Sequence, residues 1–575
     1  MLAFAAPFAK PAADAQPEEA IMQWDIGEIA FRARDARSWW EFPARVVFTH
    51  RESNAEIAQL AYWRDGSEYR VRYALPSPGL WTWRSESGDP QMDGLSGAIA
   101  VAPAGEARKK ANPNLRGHLR PSASGRFFEY ADGQPFFLLA DTIWSANTLR
   151  CGLGQNGDGP FFQYLRDRKE KKFTAILHVF LSGFGDDPEP IGQANEGGYP
   201  FPDGDLKRLN ASYFRYLDAR MQAIWEAGFV SASPPTWFGK VKYFIDYETA
   251  KRISAYLMVR YGAYNLLWSL SGEYQYAMRD GKWTDADLAE LGEHVQAHNP
   301  WRHPVSIHPS GGLNWKPPHN RQSPGEAFQA CEWLNCNWLQ TGQDDARMRF
   351  VAIRPRENYE RTPPKPVFLS EANYEGPPEA KSLNPSIEAN AYEARWQAWT
   401  AFLNGACGYG YGAHGLWGFY DPEFEEPGKK APGRYAATWR EAIAYEGGGQ
   451  LRHVRDCLSP RAWTALLPRR EWLEVDGEEN PWPSEDDIAP PHCAAAPGNL
   501  YVFYIPRGNA ERSIRLAELA PGSYRALWFD PRTGESFACP APSAKAPAWE
   551  IPPRPDPAGE DWALVLEKAN AETAG

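Results

Sequence analysis

The sequence predicts a multidomain chain, a central (β/α)₈ barrel flanked by an N-terminal and a C-terminal β-sandwich. Three observations carry this prediction. The chain has 575 residues, too many for one ordinary domain. Its character changes twice, from short alternating runs to apolar runs interleaved with long amphipathic segments, and back again. The middle part holds eight strand-like runs, the number a closed parallel barrel needs. No G-x-G-x-x-G follows the first run, so a doubly wound sheet lacks its signature.

Residues 1–19 begin MLAFAAPFAKPAADAQ, small and Ala-rich, with an Ala-Asp-Ala step and no basic n-region. This is read as the clipped end of a secretion signal or as a disordered leader. A secreted or periplasmic protein is expected, with the cytoplasm as the alternative. Residues 20–104 read as an Ig-like sandwich. Candidate strands 28–32, 44–50, 57–63, 69–73, 79–85 and 97–101 are divided by turn pairs such as Asp65-Gly66 and Pro78-Gly79.

Residues 105–450 form the predicted barrel. The strands are 136–140, 174–180, 229–232, 266–270, 304–307, 338–341, 367–370 and 408–411. Helical stretches 159–171, 211–227, 247–261, 285–297 and 389–403 lie between them. Residues 451–575 return to short strands, 463–467, 472–475, 500–505, 513–515, 523–529 and 563–567. The segment Phe529-Asp530-Pro531-Arg532-Thr533-Gly534-Glu535 makes a tight corner. No internal repeat is present.

Composition narrows the partners. The net charge of −12 argues against nucleic acid, which needs a basic footprint. No apolar run is long enough to span a membrane. The seven cysteines form no C-x-x-C pair and read as buried thiols. Aromatic residues make up 14% of the chain, with 25 Trp. Sugar rings stack on such faces, so Trp on loops suits an oligo- or polysaccharide, although many must fill cores. Oligomeric state is left open.

Two runs end abruptly in a carboxylate: Leu266-Leu267-Trp268-Ser269-Leu270-Ser271-Gly272-Glu273 and Val367-Phe368-Leu369-Ser370-Glu371. An unpaired charge inside a strand costs several kcal/mol, so each Glu is expected where its strand emerges. A (β/α)₈ barrel does its chemistry at that end, and two carboxylates on one rim are what glycoside hydrolysis requires. Capping a helix or pairing with an Arg is the plainer role for either Glu alone.

Other rim candidates for substrate contact are Asp141 and Trp144 after the first strand, His178 on the second and His308 after the fifth. Gln343 and Asp344 follow the sixth, Tyr374 and Glu375 follow Glu371, and Trp417 follows the eighth. His294 and His298 are four apart, as two zinc ligands would be, but Val295 stands where the metalloprotease signature has Glu. No metal and no cofactor is expected.

At these residues the chain resembles a known group. Phe137-Leu138-Leu139-Ala140-Asp141-Thr142-Ile143-Trp144, Trp268-Ser269-Leu270-Ser271-Gly272-Glu273 and Leu369-Ser370-Glu371-Ala372-Asn373-Tyr374-Glu375-Gly376 are similar to the apiosidase-like glycoside hydrolases. These are related to the clan A TIM-barrel glycosidases. The part from Trp24 to Gly97 resembles a sandwich that often precedes such barrels. Trp528-Phe529-Asp530-Pro531-Arg532-Thr533-Gly534 resembles a collagen-binding-like β domain. The resemblance implies retaining hydrolysis of a plant or microbial glycan, with Glu273 as acid/base and Glu371 as nucleophile. Gly272 stands where the wider clan often has Asn, so the resemblance leaves the sugar open. The rival expectation is a non-catalytic carbohydrate-binding protein using the same mouth.

Overall fold

The computed structural model describes residues 20–181, 193–239, 245–279, 282–311, 320–342, 348–377, 389–424, 437–484, 489–556 and 559–569. Residues 1–19, expected as a leader, lie outside them. In the N-terminal region, Ile26–Arg32, Glu68–Ala74 and Tyr62–Asp65 form one antiparallel sheet. Ala44–His50, Glu56–Leu60, Gly79–Ser87 and Ser96–Ala102 form a second, edged by Ile21–Met22. Val46, Phe48 and Trp81 of one sheet share a core with Tyr69 and Val71 of the other. The run expected as a single strand, 57–63, divides at buried Ala61, and its halves serve different sheets. No Gly or Pro marks that change, so the sequence reads it as continuous.

The barrel strands are β1 (Leu138–Thr142), β2 (Ala175–Leu177), β3 (Val230–Ser233) and β4 (Leu266–Ser269). They continue as β5 (Val305–Ser306), β6 (Asn337–Gln340), β7 (Val367–Glu371) and β8 (Gly408–Tyr411). All described pairings are parallel, in the order β5-β4-β3-β2-β1-β8-β7-β6. Between β5 and β6, the Asn335 amide donates to Val305 O at 2.8 Å. The Ser306 hydroxyl donates to Cys336 O at 2.8 Å across the same seam. Leu138, Ala140, Leu177, Val230, Ala232 and Leu267 fill the interior, one residue in two, as strand geometry requires.

The expected first strand begins two residues early. Pro135–Phe136 instead pairs with Phe128–Tyr130, which also pairs with Leu119–Pro121. This small sheet closes the barrel floor, placing Leu119, Phe128, Tyr130 and Phe136 against the interior residues. Strands of two or three residues are too short to show a period. The helices Pro160–Glu170, Ala211–Glu226, Tyr247–Tyr261, Asp285–Ala297 and Ala391–Leu403 fall where periodicity places them. Helix Phe350–Tyr359 escaped the reading because it contains Pro355.

The C-terminal region packs a six-stranded sheet, which includes Leu500–Ile505, Tyr524–Phe529 and Trp562–Lys568, on a four-stranded one. Phe503, Trp528 and Leu564 meet Leu473, Leu516 and Trp549 between them. Strand His492–Ala496 was not expected, because His-Cys-Ala-Ala-Ala has neither β-branched residues nor alternation. Residues 446–458 fold as two short helices, Glu446–Gln450 and Arg452–Leu458.

Both flanking regions are fixed to the barrel. The Arg72 guanidinium donates to Arg260 O at 2.8 Å. Arg395 forks onto buried Asp561 at 2.6 and 3.0 Å, and Trp399 stacks on Tyr504. The seven cysteines are free thiols, five of them buried. Among the described residues, no helix is long and apolar enough to cross a membrane.

Buried histidines make the fold acid-sensitive. Burial pushes His178, His303 and His414 down to about 4, and His492 to about 3, from 6.5. The unfolded chain therefore takes up protons that the folded chain refuses. The stabilisation is complete above pH 6.5 and declines as the pH falls toward 4. A shift of this size is worth roughly 3 kcal/mol per histidine. The urea midpoint is expected to fall steeply between pH 6.5 and 4.5. An equal midpoint at the two pH values contradicts this account.

Candidate active site

Glu371 ends β7. Phe368 points into the barrel, so strict alternation would turn Glu371 outward. The pairing of β6 with β7 slips here: Leu339 faces Leu369, but the next residue, Gln340, faces Glu371. Ser370 is the extra residue of this bulge, and a bulge re-aims the side chain that follows it. The Ser370 hydroxyl donates to Leu339 O at 2.9 Å, satisfying a carbonyl at the irregularity. Glu371, only 6% exposed, then meets His308, whose Nε2 lies 3.1 Å from its Oε2. His308 Nδ1 is 3.1 Å from Ser370 Oγ, so one ring spans the carboxylate and the bulge.

Glu273 sits just past β4 and is half-buried. Its φ of +39° is left-handed, a conformation rare outside glycine and associated with functional turns. The preceding Gly272 has no room for a side chain, since a Cβ there would lie 2.2 Å from the Trp237 ring. Trp237 thus explains why Asn is absent at this position. The Gln340 amide donates to Glu273 Oε1 at 3.4 Å. Gln340 is also the strand partner of Glu371, so one residue bonds to the first carboxylate and pairs in register with the second.

The walls are aromatic. The Trp144 and Trp237 rings meet at 4.5 Å and 73°, with His308 about 6 Å from each. The Trp144 indole donates to the Tyr374 hydroxyl at 3.2 Å. Burial raises the Tyr374 phenol well above its usual range, helped by Glu371 and also by Glu273. One phenol therefore feels both carboxylates. Trp417, 9% exposed, belongs to the same cluster, and its carbonyl accepts from the Ser145 amide at 3.1 Å. His414 packs against Tyr374, ring centres 5.7 Å apart.

The structure thus brings together Glu273, Glu371, Trp144, His308, Tyr374 and Trp417. Three expected contacts lie elsewhere. Asp141 follows inward-facing Ala140 and so points out of the barrel. It accepts from the Tyr164 hydroxyl at 2.6 Å and from Arg168 Nε at 2.9 Å, all three groups being buried. His178 is outward by the same alternation. Its Nε2 lies 2.7 Å from Ser231 Oγ, behind the wall, and burial holds the ring neutral.

Glu375 is bound on the outer side of the β7–β8 loops. The Tyr411 hydroxyl donates to it at 2.5 Å, and the amides of Gly447 and Gly448 donate at 2.9 and 3.1 Å. It anchors helix Glu446–Gln450 and does not face the mouth. Gln343 and Asp344 lie outside the described residues. Among the described residues, no group of three His, Cys, Asp or Glu is placed to hold a metal.

Trp237 and Ser370 were missed. Trp237 had a signal, since it follows β3 by a few residues much as Trp144 follows β1. Ser370 had none, because a bulge is a property of the pairing.

The placement of Asp141 predicts a phenotype. Asp141→Asn removes the buried carboxylate of Arg168 and leaves the cation only Asp167, 2.7 Å away, a loss of roughly 1.5–3 kcal/mol for a charged hydrogen bond. A large drop in the urea midpoint with an unchanged KM in the folded enzyme is the expected pair of results. A normal midpoint with a raised KM would return Asp141 to the substrate.

Comparisons with known proteins bear on the family and the fold. Residues 122–465 match the family described as "Apiosidase-like, catalytic domain". Residues 485–567 match a "Putative collagen-binding domain of a collagenase", and residues 20–88 a domain family of unknown function. A structure described as a "putative glycoside hydrolase from Bacteroides vulgatus ATCC 8482" superposes with a TM-score of 0.68 at 15% identity. It covers 96% of this chain and 100% of its own. A family 5 glycoside hydrolase from the same organism gives 0.63 at 18% identity, over 80% of this chain and 94% of its own. At these identities the likeness is one of fold. Among curated proteins none matches. The family match spans more than half of the sequence, and the chain belongs to the apiosidase-like glycoside hydrolases.

Proposed function

We propose that this protein hydrolyses a glycosidic bond in a plant or microbial glycan by double displacement, with Glu371 as nucleophile and Glu273 as acid/base. The observation that carries the reading is the meeting of two strand-end carboxylates, from β4 and β7, around Gln340 and Tyr374. Their surroundings divide the roles. Glu371 is buried beside His308, which fixes the oxygen that attacks the anomeric carbon and keeps water from it. Glu273 is half-exposed. It can give its proton to the leaving oxygen, then take one from the water that cleaves the glycosyl-enzyme. Trp144, Trp237 and Trp417 offer apolar faces to the sugar ring.

A panel of nitrophenyl glycosides and plant polysaccharides tests the activity, and proton NMR of the first-formed anomer tests the stereochemistry. Turnover with retention is expected. Inversion overturns the double displacement. Glycan binding without any turnover would favour the non-catalytic alternative.

A further inference from the structure

The opposite face of the barrel holds a cavity of about 860 Å³. It opens at the N-terminal ends of β1, β2 and β3, beside Phe137, Thr174 and Phe229. Helix Glu106–Ala111, the floor sheet, the end of helix Pro160–Glu170 and helix Arg452–Leu458 wall it in. Its charge runs against that of the molecule. Seven basic side chains line it against one carboxylate, Glu106, in a chain of net charge −12.

Some of these cations are answered. Arg116 pairs with Asp132 at 2.9 Å, Lys109 with Asp132 at 3.4 Å and Glu106 at 3.5 Å, Lys172 with Asp456 at 2.7 Å and Arg461 with Glu567 at 3.1 Å. Lys110 and Lys169 are exposed and make no ion pair among the described residues. The Arg455 guanidinium donates to the Lys172 carbonyl at 2.9 Å and meets no carboxylate there. Burial lowers its pKa against the opposing pull of Tyr130 and Asp456. Tyr130 and Trp463 add aromatic edges.

We infer that this cavity is a second binding site, remote from the carboxylates, and that it takes an acidic oligosaccharide. Its volume is that of a ligand pocket and far exceeds a lone oxyanion. The three lining cations that make no ion pair among the described residues, Lys110, Lys169 and Arg455, favour an anion. The choice of a saccharide among anions rests on the carbohydrate reading of the mouth, whereas the charge argument does not.

Calorimetry on the full chain, without turnover, decides the matter. The probes are a uronic-acid trisaccharide, a neutral trisaccharide and inorganic phosphate. The acidic trisaccharide is expected to bind, more weakly as salt rises, and the neutral one is not. Charge reversal of Lys110→Glu with Lys169→Glu is expected to weaken binding at least tenfold (about 1.4 kcal/mol) and leave turnover of a small nitrophenyl glycoside unchanged. Both residues are exposed, so the fold is not at stake. Three outcomes overturn the inference: no binding of the acidic sugar, phosphate binding equally well, or binding indifferent to the charge reversal. Loss of the glycosidase reading would show separately, as absent turnover with this binding intact.

Discussion

Glu371→Gln is expected to lower kcat by roughly four to six orders of magnitude on every glycoside the wild type cleaves. The amide matches the carboxylate in shape and can still offer an oxygen to His308, 3.1 Å away in the native enzyme. What it loses is the charge that attacks the anomeric carbon. Because the covalent step itself is removed, the loss does not depend on the leaving group. Folding is expected to survive, since no cavity forms and the bulge at Ser370 keeps its bond to Leu339. The measurement is kcat beside a melting curve. Near-normal turnover in a folded variant sinks the assignment. Glu375 could not then inherit the role as it stands, since Tyr411 and two glycine amides hold its oxygens outside the mouth.

The barrel was legible because its strands are apolar runs of the right length, five of them followed by a helical stretch of period 3.6. The two glutamates were legible because a carboxylate ending such a run has few places to go. Facing was not legible. Asp141 and His178 lie at strand ends as the rim candidates do, but one step of alternation sends each behind the wall, to Arg168 and to Ser231. A sequence gives the period of a strand and leaves its phase to the packing. Glu371 would have been misplaced by the same rule had Ser370 not bulged. The partner of Glu375 was out of reach for another reason: Gly447 and Gly448 lie 72 and 73 residues away, in a segment with no apolar signal.

The second large effect concerns Glu273, and its signature is a pattern over substrates. In Glu273→Ala no proton reaches the departing oxygen. Glycosides with poor leaving groups are expected to lose about two to four orders of magnitude, the usual worth of a general acid. Dinitrophenyl glycosides, whose leaving group departs as an anion, lose far less in the first step. Their glycosyl-enzyme then accumulates, because the water that should cleave it has no base. Azide needs no base and fits the space left by the side chain. It is expected to restore turnover and yield a glycosyl azide of retained configuration. The structure allows the substitution: Glu273 is half-exposed at a left-handed turn, and Gly272 and Trp237 define the turn without it. Alanine keeps the strained φ, so some loss of stability accompanies the change, and the same melting curve reads it apart from the kinetics. The pH–rate profile, bell-shaped in the wild type, is expected to lose its basic limb in the variant, because that limb reports the proton the acid must hold. If Glu273→Ala costs the same factor whatever the leaving group, and azide restores nothing, the proton comes from another residue.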